Sequence, residues 1–219
     1  MKNIAVILSG CGYLDGAEIR EAVLALLALD SQGAQYKIFA LNKAQHHVVN
    51  HVNGEEVPDA KRNILEESAR IARGEIADLA KLNVDNFDAL VLPGGFGVAK
   101  NMCSFAFEGI NANVDELVLD VVKAFKQASK PIGAICISPA LVALSVGEHS
   151  PTLTIGTDEG TAQALEQLGA KHQNCETNDC VVDEHHKIVT TPAYMDGNAK
   201  LSDVFAGISK LVSEVIRLA

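Results

Sequence analysis

The 219-residue chain has no tryptophan, and aromatic residues make up only 5% of it. A surface for stacking nucleic-acid bases is therefore not expected. Lysine and arginine total 18 against 28 aspartates and glutamates, and they are scattered, so the cationic footprint of a phosphate-backbone binder is missing. No apolar run reaches the length of a membrane span. The composition predicts that neither nucleic acid nor a membrane is a partner.

Cysteine is sparse and shows no pairing pattern. The five cysteines are an odd number without C-x-x-C spacing. The first ten residues carry one lysine and a strand-like apolar run with no small-residue cleavage site after it. We therefore expect a reduced, cytoplasmic protein with no disulfide framework and no export signal.

Patterns for cofactors are missing as well. His47 and His51 have the spacing of zinc ligands on a helix, but they lie among valines with no carboxylate at ligand spacing, and loop surface is the better interpretation. Gly10, Gly12 and Gly16 do not fit the dinucleotide-binding spacing, and no acid ends the second predicted strand. The sequence predicts no cofactor and no metal.

Hydrophobic residues make up 48% of the chain, enough for a large core. Short apolar runs alternate with helical patterns, which predicts an α/β fold over residues 1–219: one domain with a doubly wound, mainly parallel, flavodoxin-like sheet, helices on both faces and a small edge hairpin. Residues 42–86 depart from the alternation and are interpreted as an insertion that decorates one edge. The predicted strands are Ile4–Leu8, Tyr36–Leu41, Ala89–Leu92, Ile132–Ile135 and Leu153–Ile155, with a hairpin of Val181–Asp183 and Lys187–Thr190.

Two helices have recognisable beginnings. Asp15 and Glu18 have the spacing of a capping box, which predicts a helix whose apolar side is Val23, Leu24, Leu26 and Leu27. Ser138 followed by Pro139 is typical of a helix N-terminus directly after the strand Ile132–Ile135.

Cys136 therefore lies on a sharp turn from strand into helix. The residues two before and two after it, Ala134 and Ser138, are both small, as the crowded backbone of a nucleophile elbow requires. A thiol close to a helix N-terminus is expected to ionise more easily, so Cys136 is the candidate nucleophile. The alternative is a buried structural cysteine at a strand end.

Ligands of such sheets bind beyond the carboxyl ends of the strands, where three loops should converge. The loop after the first strand leads to Glu18, which would act as general base and acid beside the sulfur. Gly94 and Gly95 follow Leu92, and their backbone N–H groups with that of Ile137 would form an oxyanion hole.

Three further residues are candidates for substrate binding. Cys11 and Gly12 lie in the loop after the first strand, and Phe96 follows the two glycines. The bulk of Phe96 and Tyr13 predicts a tight cleft.

These segments also carry a family resemblance. Asp15-Gly16-Ala17-Glu18, Pro93-Gly94-Gly95 and Ala134-Ile135-Cys136 resemble the DJ-1/PfpI superfamily of class I amidotransferase-like folds. Finer features resemble its ElbB (enhancing lycopene biosynthesis) family, and the likeness runs through essentially the whole chain. The finer segments are Leu8-Ser9-Gly10-Cys11-Gly12, Gly94-Gly95-Phe96-Gly97, Ala99-Lys100-Asn101, Thr154-Ile155-Gly156-Thr157-Asp158 and Thr190-Thr191-Pro192-Ala193-Tyr194-Met195.

The resemblance implies a homodimer and a glyoxalase-type activity on small aldehydes without glutathione or metal. Protease-like members have histidine after the nucleophile, whereas this chain has Ile137, and His185 and His186 lie in a predicted hairpin turn, so no Cys-His-acid triad is expected. We therefore expect a glyoxalase that converts glyoxal to glycolate, and the predicted tight cleft should make methylglyoxal a poorer substrate. The alternative is a non-catalytic redox sensor or regulatory binding protein in which Cys136 is oxidised.

Overall fold

A computed structural model describes all 219 residues. The strands are β1 (Asn3–Leu8), β2 (Gln35–Ala40), β3 (Val49–Asn50), β4 (Glu55–Glu56), β5 (Ile76–Asp78), β6 (Ala89–Leu92), β7 (Ile132–Ile135), β8 (Thr152–Leu153), β9 (Lys171–His172), β10 (Val181–Asp183) and β11 (Ile188–Thr191). The α-helices are α1 (Ile19–Ser31), α2 (Ile64–Ile71), α3 (Phe105–Glu108), α4 (Glu116–Gln127), α5 (Ser138–Val146), α6 (Glu159–Gln167) and α7 (Leu201–Leu218).

Seven strands form the central sheet in the order β10-β11-β7-β6-β1-β2-β5. All neighbours are parallel except β10, which pairs antiparallel with β11 as the edge hairpin. The doubly wound α/β fold is thus confirmed, as is the hairpin. None of the helices combines the length and the apolarity that a bilayer crossing needs.

The sheet separates two hydrophobic cores. On one face α1 and α7 pack together over β1, β6 and β11, with Ile208 and Leu211 fully buried. On the other face α4 and α5 cover the sheet, with Phe125 and Leu141 fully buried. Because both faces are covered, the central strands β1, β6 and β7 are buried and carry no polar side chain apart from Asn3 at the start of β1, as the runs in the sequence indicated.

The connections reverse direction between β1 and β6. From β1 the chain proceeds through α1 to β2 on one side, and from β6 it proceeds through α4 to β7 on the other. This reversal is a topological switch point, and it leaves a crevice beyond the carboxyl ends of β1, β6 and β7. Cys136 follows β7 directly and therefore lies at this crevice.

The beginning of α1 differs from the prediction. Glu18 itself is the N-cap, and its carboxylate accepts the N–H of Glu21 at 2.6 Å. Asp15 is fully buried and instead accepts the N–H of Val49 at 2.8 Å, so the capping box was wrong. The predicted apolar side was wrong in part: Leu24 and Leu26 pack against the core, but Val23 and Leu27 are 47% and 46% exposed. Alanines form the buried face, since only small side chains let α1 approach the sheet and α7 closely; they are Ala22, Ala25 and Ala28.

The segment 42–86 does more than decorate an edge. It contains the hairpin of β3 and β4 and helix α2, and it then supplies β5, which extends the sheet by pairing parallel with β2. The partly exposed residues Ile76–Asp78 are too few to give a clear periodic signal. In contrast, the strand predicted at Leu153–Ile155 shortens to β8 and pairs only with β9, outside the main sheet.

Candidate active site

The turn at Cys136 has the strained geometry of an elbow. Its φ is +61°, a left-handed conformation that is costly for a residue with a side chain. Its N–H donates to the carbonyl of Thr191 at 2.9 Å, which holds the turn against β11. Ala134 and Ser138 are fully buried, and the Ser138 hydroxyl donates to the carbonyl of Pro93 at 3.0 Å. The elbow prediction is confirmed, because small neighbours let this turn lie against the glycine loop after β6.

Two glycines after β6 have no room for a side chain. A Cβ on Gly94 would lie 2.5 Å from the Cβ of Cys136 and 2.6 Å from Oε2 of Glu21. A Cβ on Gly95 would lie 2.3 Å from the backbone nitrogen of Glu18, and Gly95 has a φ of +102°. Because neither glycine has a side chain, both the elbow and the N-terminus of α1 can pack directly against the backbone of this loop.

Glu21 is the acid that faces the thiol of Cys136. It is fully buried, and its carboxyl accepts the N–H of Gly94 and the N–H of Tyr194, both at 3.1 Å. Burial raises the pKa of this carboxyl to about 8, with a further contribution from the charge of Glu18. Glu21 consequently keeps a proton at neutral pH, unlike an exposed glutamate.

The thiol of Cys136 is only 7% exposed. Burial raises its pKa well above the ordinary value, and the charge of Glu21 and a hydrogen bond to it raise the pKa further. The N–H groups of Gly95 and Ile137 point at the sulfur, and their hydrogen bonds lower the pKa of the thiol. The expectation that the helix N-terminus makes the free thiol acidic was therefore wrong, because desolvation and a neighbouring carboxyl outweigh it. Cys136 and Glu21 titrate as a coupled pair.

Glu18 does not occupy the position predicted for it. Its carboxylate caps α1, and the partner of the sulfur is Glu21, one helical turn further on. The predicted contact between Glu18 and the Cys136 sulfur was wrong because capping turns the carboxylate toward its own helix. Glu18 nevertheless lines the same cavity as Cys136, and burial raises the pKa of its carboxyl.

Two of the three predicted oxyanion donors face the sulfur, and the third, Gly94, does not. Gly95 and Ile137 present their N–H groups at the sulfur, as the sequence indicated. The N–H of Gly94 is instead used by Oε2 of Glu21, and its carbonyl accepts the N–H of Glu18 at 2.9 Å. Gly94 thus fixes the two acids of α1 and was wrongly assigned as an oxyanion donor.

A cavity of about 450 Å³ opens above Cys136. No histidine lines it, and most of its wall is apolar. The cavity is larger than the tight cleft that the sequence suggested, because Tyr13 and Phe96 stand at its mouth instead of filling it. The lining residues are Tyr13, Glu18, Gly95, Phe96, Ala99, Phe105, Ala106, Cys136, Ile137, Thr161, Tyr194 and Met195.

Of the three substrate-binding candidates, only Phe96 lines this cavity. Gly12 lines an adjoining cavity of about 550 Å³, which shares Tyr13, Glu18 and Tyr194 with the first. Cys11 lines neither, because it faces the charged residues of α2. A groove of about 840 Å³ lies at the β5 edge of the sheet, but no cysteine or histidine lines it.

The histidines of residues 42–86 support the wall of the site. Nε2 of His51 accepts the N–H of Leu14 at 3.2 Å, and its ring packs edge-on against Tyr13 with centroids 5.5 Å apart. The side chain of His47 is only 16% exposed and lies 3.1 Å from Nζ of Lys100. The loop-surface interpretation holds for His51, which is an exposed turn residue, but not for the mostly buried side chain of His47. Nowhere in the chain do three His, Cys, Asp or Glu side chains converge as a metal site would require.

The two histidines of the β10–β11 turn differ in burial, and His185 is exposed. The side chain of His186 is only 15% exposed, and its Nδ1 lies 2.8 Å from Oδ2 of Asp183. Neither His185 nor His186 lines the cavity above Cys136.

Sequence reasoning missed Glu21 and the Tyr194–Met195 wall. A signal for Glu21 existed, because Glu21, Ala25 and Ala28 have the spacing of one helix face, and that face is the buried one. Tyr194 follows Ala193, whose φ of +46° is unusual for a residue with a side chain. No local pattern indicates that this turn aims the N–H of Tyr194 at Glu21.

Comparisons with known proteins show which proteins the chain is similar to. A profile of the DJ-1/PfpI family matches residues 13–199. The human protein "Glutamine amidotransferase-like class 1 domain-containing protein 3, mitochondrial" is 44% identical, over 99% of this chain and 83% of its own length. The rat "ES1 protein homolog, mitochondrial" is 42% identical, over 99% of this chain and 84% of its own length. Because both relatives are named as mitochondrial proteins, the cytoplasmic location stays a prediction.

A solved structure is similar over the entire fold. It is an isoprenoid biosynthesis protein with an amidotransferase-like domain from Ehrlichia chaffeensis, with a TM-score of 0.93 and 42% identity. The match covers 100% of this chain and 99% of that one. The overall fold therefore recurs in a solved protein of related sequence.

Proposed function

The chain belongs to the DJ-1/PfpI family, and on this premise we propose that it is a cofactor-independent glyoxalase that converts glyoxal to glycolate. The observation that carries the proposal is the buried pair of Cys136 and Glu21 beneath the N–H groups of Gly95 and Ile137. Within the family we assign it to the ElbB group. The similar Ehrlichia chaffeensis protein, described as an isoprenoid biosynthesis protein, supports that assignment.

The first step forms a bond between the sulfur and one aldehyde carbon. Glu21, once ionised, takes the thiol proton as the sulfur attacks, so that no free thiolate has to persist in the buried site. The N–H groups of Gly95 and Ile137 stabilise the negative charge that develops on the carbonyl oxygen. Return of the proton from Glu21 to that oxygen gives a neutral hemithioacetal.

The second step moves a proton between the two carbons. Glu18 lines the cavity, only its Oε2 is used for capping, and burial raises the pKa of its carboxyl. These properties suit a base that removes the carbon-bound proton and returns it to the neighbouring carbon through an enediol. The product is a glycolyl thioester, an isomer of the hemithioacetal, so no hydride carrier is required.

The last step is hydrolysis. Water adds to the thioester, glycolate leaves and the thiol regains its proton, so the sum is glyoxal plus water to glycolate. The alternative function is a redox sensor, since the N–H groups of Gly95 and Ile137 would also hold a sulfinate oxygen on Cys136.

We also propose a homodimer. Ile19, Val23 and Leu27 form an apolar stripe on α1, and each is 45% to 47% exposed. A second copy would remove this surface from water. Sedimentation should show a species of twice the 23.2 kDa chain mass, and a monomer at micromolar concentration would contradict the proposal.

Turnover decides between the enzyme and the sensor. The native protein should form glycolate from glyoxal, and Cys136→Ser should reduce turnover to the uncatalysed background. Cys175→Ser is the matched control, because Cys175 is a loop thiol outside the cavity. In D₂O, an enediol places deuterium on the product carbon, whereas a direct hydride shift does not. If no glycolate forms, or if Cys136→Ser is as fast as the native protein, the enzyme proposal fails and the sensor takes its place.

A further inference from the structure

The cavity above Cys136 offers an apolar substituent far more surface than glyoxal can use. Tyr13 and Phe96 stand at its mouth and are 48% and 47% exposed, and Phe105 and Met195 line its wall. Large apolar side chains grouped around a concave opening are typical of ligand-binding surfaces. Glyoxal has no substituent, so it would leave these side chains without a partner.

The aromatic mouth is already held in place. The N–H of Phe96 donates to the carbonyl of Tyr13 at 2.8 Å, which joins the two loops by their backbones. Nζ of Lys100 lies 4.9 Å from the centre of the Phe96 ring and donates to the carbonyl of Leu14 at 2.7 Å. His51 packs against the ring of Tyr13. Because Tyr13 and Phe96 are already held in place, binding costs little conformational entropy in these side chains. Most of the free energy gained by burying an apolar group would therefore contribute to affinity.

The cavity is large enough to hold a substrate with a substituent. At about 450 Å³ the cavity falls within the range of roughly 300–1,000 Å³ that is typical of pockets for drug-sized molecules. The catalytic groups Cys136, Gly95 and Ile137 lie in the same wall, so a substituent can occupy the cavity while the aldehyde reaches the sulfur.

We propose that the preferred substrates are 2-oxoaldehydes with an apolar substituent of about the size of a phenyl or cyclohexyl ring, bound between Phe96, Phe105 and Met195. This inference rests on the proposed function, because it names the substrate class of the same site.

The kinetic test compares methylglyoxal, phenylglyoxal and cyclohexylglyoxal, the last of which has no conjugated ring to change aldehyde reactivity. Burial of the ring should raise kcat/KM by about 10- to 100-fold over methylglyoxal. Phe96→Ala should lower kcat/KM for both ring substrates about tenfold more than for methylglyoxal. Phe107→Ala is the matched control, since Phe107 is 51% exposed, packs on His46 and does not line the cavity, and it should leave the ratio unchanged.

A binding test separates this inference from the proposed function. Mandelate and lactate are the products of phenylglyoxal and methylglyoxal, and calorimetry can measure their binding without turnover. Mandelate should bind at least about tenfold more tightly than lactate, and Phe96→Ala should remove the difference. Mandelate preference without glycolate formation from glyoxal would overturn the glyoxalase alone. Glyoxal turnover with equal binding of both acids, or with ring substrates no better than methylglyoxal, would overturn the apolar subsite alone.

Discussion

The elbow at Cys136 and the first turn of α1 are two walls of the same site, but they depend on the chain in different ways. Ala134 and Ser138 make the strained turn possible through residues two positions away, so the elbow is a local property. Glu18 and Glu21 are both acids of one helical turn, yet one caps the helix and the other meets the sulfur. The difference is that the carboxyl of Glu21 accepts the N–H groups of Gly94 and Tyr194, which come from distant parts of the chain.

A candidate nucleophile can thus be identified from its neighbours in sequence, whereas its acid partner depends on packing. Residues three apart lie on nearly the same side of a helix, so helical spacing alone does not separate the two acids. Glu18 precedes the first turn and its carboxylate accepts the N–H of Glu21, whereas Glu21 lies within the helix on its buried face. The following predictions test this division of roles between Glu18 and Glu21.

The largest effect is expected from Glu21→Gln, which keeps the shape but removes the proton acceptor of the thiol. Glyoxal kcat/KM should fall by about 10²- to 10⁴-fold. The native rate should rise with pH around the pKa of about 8, where Glu21 loses its proton, and the variant should lack this inflection. Steady-state kinetics from about pH 6 to about pH 9 measure both effects.

Glu18→Gln provides the comparison. Its amide oxygen can still cap α1, but it can no longer accept a carbon-bound proton, so kcat should fall by about 10²-fold while the inflection near pH 8 remains. Dideuterated glyoxal should then show a larger isotope effect than with the native protein. A lost inflection with Glu18→Gln, or a retained one with Glu21→Gln, would reverse the roles assigned here.

Burial of Glu21 should also affect stability. Between 4.5, the ordinary pKa, and about 8, the folded protein holds a proton that the unfolded chain has released. The free energy of unfolding should therefore fall as pH rises through this window, by up to about 1.4 kcal/mol per pH unit. Urea unfolding of the reduced protein at several pH values should show this slope, and Glu21→Gln should flatten it. An equal slope in both proteins would contradict an uncharged Glu21.

A smaller effect is expected where the two walls touch. Gly94→Ala would place a Cβ 2.5 Å from Cys136 and 2.6 Å from Glu21, and overpacking of this kind costs about 1–3 kcal/mol. Gly197→Ala is the control, because nothing lies within 4 Å of its Cβ position. Equal unfolding midpoints in urea for both variants would show that the walls can move apart.

The smallest effect is expected from Cys11→Ala. Cys11 faces α2 and lines neither cavity, so glyoxal kcat/KM should stay within about twofold of the native value. A loss as large as that of Glu18→Gln would restore Cys11 as a substrate-binding residue.

Much of the fold was readable because its signals are local. The apolar runs of β1, β6 and β7 mark strands covered on both faces, and turn residues mark the β10–β11 hairpin. Strand β5 was missed because three partly exposed residues have no clear period. The alanine face of α1 was missed because exposed valine and leucine give a stronger apolar pattern than the buried alanines do.

In the site, the elbow, the candidate nucleophile Cys136 and the N–H groups of Gly95 and Ile137 could be predicted from the sequence, since these features follow from steric demands within a few residues of the chain. Which glutamate meets the sulfur could not be predicted in this way, because it follows from the packing of distant segments. That choice depends on burial and on N–H donors from the loops after β6 and β11, which no local pattern records. The same burial sets the pKa of Glu21 near 8, because desolvation belongs to the folded surroundings and not to the residue.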